Sequence, residues 1–170
     1  MIFRFSVLGL LCLAAGLAGC AHYRLGTGAK PAFATLYIAP VENKTLLPQA
    51  RALLSTQVRA AFEKDGRVAL VNSPEAAEAT LDIVIRDYHR DVASVRTDDT
   101  GLARKFALTL GVVCTLRDRR SGEVLFADRP VATQRDAFTD GGQLQAEYEV
   151  LPLLAESLAQ KISHTVLDVW

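Results

Sequence analysis

The chain has 170 residues, half of them apolar, which is enough to build one domain around a core. Nineteen basic and nineteen acidic residues give a formal net charge of zero, and no basic stripe is present, so general nucleic-acid binding is excluded as a primary role. Eleven Gly and six Pro are ordinary and exclude a fibrous or low-complexity chain.

Residues 1–19 differ from everything after them. Arg4 is their one charge, Phe5–Ala15 is an apolar run, and small residues lead to Cys20. A charged start, a short apolar region and a small-residue end describe a secretory signal. The run falls short of the ~20 apolar residues that a membrane span needs. A buried N-terminal helix is the competing reading, and Gly9, Gly16 and Gly19 count against it. Leu17-Ala18-Gly19-Cys20 resembles the lipobox of bacterial lipoproteins. That resemblance implies cleavage before Cys20, a diacylglycerol on its sulfur and an acylated amine. Two or three acyl chains anchor a protein stably where one does not. Ala21 stands where an inner-membrane retention signal would have Asp, which implies sorting to the outer membrane. The expected organisation is a signal peptide over 1–19, a lipidated tether over 20–32 marked by Gly26, Gly28 and Pro31, and one domain over 33–170. Cys12 would leave with the signal and Cys20 would carry lipid, so Cys114 would stand alone.

In the domain, Phe33–Asn43 reads as a strand with Leu36 and Ile38 on one face, and Pro40 marks its end or an edge position. The period then changes. Leu47, Ala50, Leu54, Val58, Ala61 and Phe62 share one face of a helix predicted over Pro48–Asp65, with Gly66 as its C-terminal cap. Arg67–Val71 reads as a short strand, and Ser73-Pro74 starts a single helical turn. Thr80–Ser94 is a strand with Leu81, Ile83 and Ile85 inward. A loop containing Asp99-Thr100-Gly101 returns it to Ala103–Arg117, where Phe106, Leu108, Leu110, Val112, Cys114 and Leu116 alternate without a miss. Asp118–Gly122 is a turn, and the strand after it is interrupted by Pro130, which argues for a bulge or an edge. Leu151, Leu154, Leu158, Ile162, Val166 and Val169 stripe a last helix, with Pro152 predicting a kink or restart. Each helix has one apolar stripe and each main strand one apolar face. The expected fold class is therefore α+β: a two-layer sandwich of a mostly antiparallel four- to five-stranded sheet with two helices on one face.

Catalytic and metal motifs are absent from this reading. His22, His89 and His164 lie in a tether, a strand end and a terminal helix, without zinc spacing. No nucleophile elbow, phosphate loop or dinucleotide fingerprint occurs. Thr97–Gly101 has two carboxylates but not the alternating ligands of a calcium loop, and reads as a solvated turn. Cys114 reads as a core thiol. The expectation is a protein that is not an enzyme, with no cofactor and no metal.

Five stretches, in order, resemble the lipopolysaccharide-assembly lipoprotein family LptE. They are CAHYRL after the lipobox, LYIAPVENKT before an Ala/Leu-rich helix, ATLDIVI after a Pro-led turn, ALTLGVVCTLRDRRSGEVLF, and the closing helix AEYEVLPLLAESLAQKISHTV. One departure is Ala21-His22-Tyr23, where the family has Gly-Tyr after the anchor. The resemblance implies an outer-membrane lipoprotein on the periplasmic side, partnered by the barrel LptD, which it plugs and supports while lipopolysaccharide is transported and inserted into the outer leaflet. It implies no covalent chemistry. Lipopolysaccharide phosphates call for Arg and Lys. The candidate contacts are Arg117, Arg119 and Arg120 at one hairpin tip, and Arg104 and Lys105 beside the other hairpin loop; a charge-decorated solvated turn is the competing reading. The alternative role is a periplasm-facing scaffolding or binding lipoprotein of another envelope machine.

Overall fold

The computed structural model describes residues 31–95, 103–139 and 142–168. Cys20, the signal segment, most of the tether, the turn at Asp99-Thr100-Gly101 and Val169 of the expected helical stripe lie outside them. The elements in chain order are β1 (Thr35–Ile38), β2 (Glu42–Asn43), α1 (Ala50–Asp65), β3 (Ala69–Val71), a 3₁₀ turn (Pro74–Ala76), β4 (Ala79–Val95), β5 (Ala103–Asp118), β6 (Val124–Phe138) and α2 (Gln143–Leu167).

The sheet runs β3-β1-β4-β5-β6, with β2 continuing along the edge of β4 beyond β1. The two long hairpins are antiparallel, as their alternation and turns require. The sheet as a whole is mixed, because β1 pairs parallel with β3 and β4, and β2 pairs parallel with β4. The single strand expected over Phe33–Asn43 is two, since Pro40 cannot donate to a ladder. The register nevertheless carries across the gap: Ala39 N donates to Leu81 O at 3.0 Å and Lys44 N to Ile85 O at 2.9 Å.

The link into α1 is held by an Asn turn. Asn43 Oδ1 accepts from Thr45 N at 3.0 Å, and Asn43 Nδ2 donates to Leu47 O at 2.8 Å. Pro48 lies in that turn, just ahead of the helix. Gly66 takes φ +72, and its N–H reaches Phe62 O at 3.1 Å, which stops α1 where the sequence predicts. Pro152 lies inside α2 on its exposed face, and the helix continues through it.

Leu36, Leu54, Phe62, Leu81, Ile83, Leu108, Leu116, Leu154, Leu158 and Ile162 are fully buried in one cluster between sheet and helices. The inward alternation of β4 does not persist. A bulge at Arg86 shifts the register between Ile85 and Asp87, so Tyr88 faces the helices while Asp87, His89 and Asp91 pair across the sheet with Gly111, Thr109 and Ala107. Gly111 makes this possible: a Cβ there would stand 3.2 Å from Asp87 Cβ. A second irregularity opposite Cys114–Leu116 places Asp128 at φ 46 in β6, close to Pro130.

Candidate functional site

The tip cluster sits on the turn joining β5 to β6. Asp118 builds that turn: its Oδ1 accepts from Arg120 N at 2.7 Å and Ser121 N at 3.1 Å. Those main-chain N–H donors, Ser121 first, hold the Asp118 carboxyl below the usual carboxylate range, with Arg120 assisting and partial burial opposing.

The described chain begins at this same end. Arg120 Nη2 donates to Ala32 O at 3.2 Å, and Arg119 N to Glu78 O at 2.8 Å. Glu78 accepts from Ala34 N at 2.6 Å and lies 3.5 Å from Arg120 Nη1. Thr35 Oγ1 accepts from Glu78 N at 2.9 Å. The first described residues, Ala32–Thr35, are thus stitched to the hairpin turn.

The three arginines are not equivalent. Arg117 lies 3.6 Å from Asp82, and Arg120 is bracketed by Glu78 and Asp118. The Arg119 side chain is exposed and has no hydrogen bond or ion pair among the described residues. Of the cluster it is the charge best placed to meet an external phosphate. Lys105 stands at the other end of β5, twelve residues from Arg117, a separation of roughly 40 Å at strand rise. It pairs with Asp136 at 3.0 Å and lies 6.0 Å from the Phe138 ring centre. Arg104 is in β5 beside it, and its side chain lies outside what is described. The two basic groups therefore occupy opposite ends of the sheet and cannot grip one headgroup together.

A polar clamp that sequence reading missed closes the ends of the helices. Arg67 donates to Asp65 at 2.7 Å, Asp168 at 2.7 Å and Leu167 O at 3.3 Å. The Arg67 hydrogen bond holds Asp65 below its ordinary value. Burial alone would raise Asp168, but hydrogen bonds from Arg67 and His164 outweigh it and lower it. Asp65 and Arg67 are neighbours in sequence, but Asp168 is 101 positions away, and nothing local signals the pairing. Cys114 is buried, and the loss of hydration pushes its thiol up to about 12, so it is inert at neutral pH. His89 lies between Asp87 at 3.1 Å and Asp91 at 3.5 Å, and its pKa is raised by them, Asp87 foremost. Among the described residues no group of three or more His, Cys, Asp or Glu side chains could hold a metal ion, and no helix is long and apolar enough to cross a membrane.

The family model described as LptE, lipopolysaccharide-assembly, matches residues 33–165. The chain belongs to the LptE family. No curated protein sequence matches it. Among solved structures, a minor lipoprotein from Acinetobacter baumannii is 18% identical with a TM-score of 0.52, covering 80% of this chain and 92% of that one. A Xanthomonas campestris protein is 14% identical at TM-score 0.62, covering 82% and 86%. An uncharacterised lipoprotein B from Nitrosomonas europaea is 18% identical at TM-score 0.54, covering 86% and 88%. At such identities these three speak for the fold alone. Membership of the LptE family associates the chain with lipopolysaccharide assembly in the cell envelope.

Proposed function

We propose that this LptE-family protein is an outer-membrane lipoprotein, anchored through Cys20, that sits in and supports an LptD-like barrel during lipopolysaccharide insertion. The observation that carries the reading is the family match over residues 33–165. The physical picture is consistent with it. Barrel lumens are polar. Along β4 and β5, the sheet face turned away from the helices carries Thr80, Asp82, Thr109, Gly111 and Thr115, interrupted by the apolar pair Val84 and Val113, so it is mostly small or polar.

The twelve tether residues 21–32 reach at most about 40 Å when extended. Because Ala32 is hydrogen-bonded to Arg120, the hairpin-turn end is the end kept within that distance of the anchored leaflet. On this reading Arg119 and its neighbours meet lipid phosphates or acidic barrel loops, and the protein performs no covalent chemistry.

The test is isolation of the native protein in mild detergent. A stoichiometric complex with one large β-barrel is expected, together with an amino-terminal mass carrying diacylglycerol on Cys20. Recovery as a free soluble module, or with a different envelope machine, overturns the plug; an unmodified Cys20 overturns the anchor.

A further inference from the structure

We propose that the corner where α1 begins beside α2 is a knob-and-hole interface for a second copy of this chain, with Leu46 of each copy seated in a cavity of the other. Leu46 is the most exposed large apolar side chain among the described residues, at 102%. Single exposed leucines are ordinary, but this one is held in place. Asn43 Oδ1 accepts from Thr45 N at 3.0 Å and from Thr45 Oγ1 at 2.8 Å. Asn43 Nδ2 donates to Leu47 O at 2.8 Å, and Leu47 N donates to Thr45 Oγ1 at 3.3 Å. Leu47 itself is buried, and β2 just before the turn is paired with β4. The turn is thus fixed on both sides of Leu46, and presenting the side chain to a partner requires no further ordering of the loop.

The hole lies at the same corner. A cavity of about 230 Å³ is lined by Ala52, Leu53, Leu151 and Pro152, with Gln49 and Tyr148 completing it. Its lining is apolar except for Gln49 and the Tyr148 hydroxyl, so it suits an apolar group. Apolar cavities of ~150 Å³ take up a benzene-sized group, so this one has room for a leucine side chain. Leu46 stands three residues before Gln49, which puts knob and hole within about 11 Å along the chain. In its own copy Leu46 points to solvent and leaves the cavity open.

A knob and a matching hole on one face are the condition for a two-fold contact, in which residue i meets residue j and j meets i. An acyl chain or an unrelated segment would fill the hole and leave Leu46 in water. A pocket on another protein would cover Leu46 and leave the hole empty. A second copy satisfies both with one contact. Tyr148, 73% exposed, and Leu144, one turn before it on α2, are placed to flank the two insertions. Such a corner contact is smaller than the ~800 Å² per partner of a standard interface, so the pair is weak and its copies exchange. This inference does not rest on the barrel reading.

The test uses the full-length protein, purified in mild detergent in two differently tagged forms. Leu46→Cys in one form is mixed with Ala52→Cys in the other, and Gln134→Cys on the sheet replaces Ala52→Cys as the control. All three positions are exposed, so folding is preserved, and Cys114 is buried and stays out of the exchange. A disulfide-linked product carrying both tags is expected from the first mixture, well above the control. Leu46→Asp spoils the knob and Ala52→Trp fills the hole. Each alone is expected to weaken association about a hundred-fold, because each removes both insertions of the symmetric pair. Mixing the two variants restores one intact insertion and should recover part of the loss. Linked yields no greater than the control, or a mixture that associates no better than either variant alone, overturn the proposal. A barrel complex that isolates intact from a protein that does not pair sinks this inference and leaves the plug standing. Pairing in a protein that brings down no barrel does the reverse.

Discussion

The two halves of the long hairpins are built differently. The near half, up to Ile85, Val112 and Val131, is flanked by β1 and β2 and buries Leu81, Ile83, Leu116 and Phe126 in the main core. Beyond Ile85 the free edge of β4 has no strand partner among the described residues. The inward side chains there are Tyr88, Arg90 and Val92, and Glu147 of α2 holds the first two: Arg90 donates to it closely, and Tyr88 Oη lies 3.4 Å from it. Val92, Phe138, Leu144 and Tyr148 are all exposed in or beside this far half. Packing secures all strands of the near half; in the far half β5 still buries Phe106, Leu108 and Leu110, while β4 is pinned by charge. Charged residues along an open edge such as Asp87, His89 and Asp91 also discourage unwanted strand addition.

A cavity in the near half should therefore do the greatest damage. Leu54 of α1 is fully buried, and Leu54→Ala is expected to cost about 2–5 kcal/mol of global stability, read from denaturant unfolding. Next in size is Arg67→Ala, at about 1–3 kcal/mol, because it leaves Asp65 and Asp168 without their hydrogen-bonded cation. This effect depends on pH. Both carboxylates are lowered in the folded state, so their contribution is present above the ordinary carboxylate range and fades as pH falls through their depressed values. The gap between wild type and Arg67→Ala should close in acid, and a gap unchanged below pH 3 would remove the clamp from the account.

How much of this was legible beforehand follows from which interactions are local. Phe106 to Leu116 alternates without a miss, and Asp118–Gly122 is a turn by its own chemistry, so the central hairpin could be read directly. The parallel pairing of β1 could not, because Leu36 and Ile38 say which face is buried and nothing about strand direction. The bulge at Arg86 depends on Gly111, twenty-four positions past Asp87, allowing the close approach. Pro152 suggested a break that the buried stripe of α2 overrides. At the candidate site, Arg117, Arg119 and Arg120 were visible as a cluster, but Glu78 and Ala32, which engage Arg120, come from distant sequence. In the clamp through Arg67 the Asp65 contact is local, but Asp168, which closes it, is tertiary.

The far half predicts smaller, local effects. Glu147→Gln is expected to cost about 1 kcal/mol, seen as faster amide exchange around Tyr88–Val92 and the first turns of α2, with the near half unaffected. Tyr88 supplies an independent readout. Burial and then the Glu147 charge raise its pKa, so removing that charge should bring its ultraviolet titration part of the way back while the burial contribution remains. Loss of near-half protection in the same variant would mean that the two halves open as one unit.

The smallest stability effect belongs to Arg119→Glu, at the end of the near half where the described chain begins. Its side chain engages nothing among the described residues, so the change should stay within about 0.5 kcal/mol. Binding to purified lipopolysaccharide should nevertheless fall, because the substitution reverses the one tip charge that no nearby carboxylate offsets. Arg117→Glu is the sharper companion, since it places like charge 3.6 Å from where Asp82 now pairs. A loss of binding in Arg119→Glu with unchanged melting separates a phosphate contact from a solvated turn. Equal binding in both variants assigns the turn to holding the incoming chain, the task already visible in the hydrogen bonds of Arg120 and Glu78.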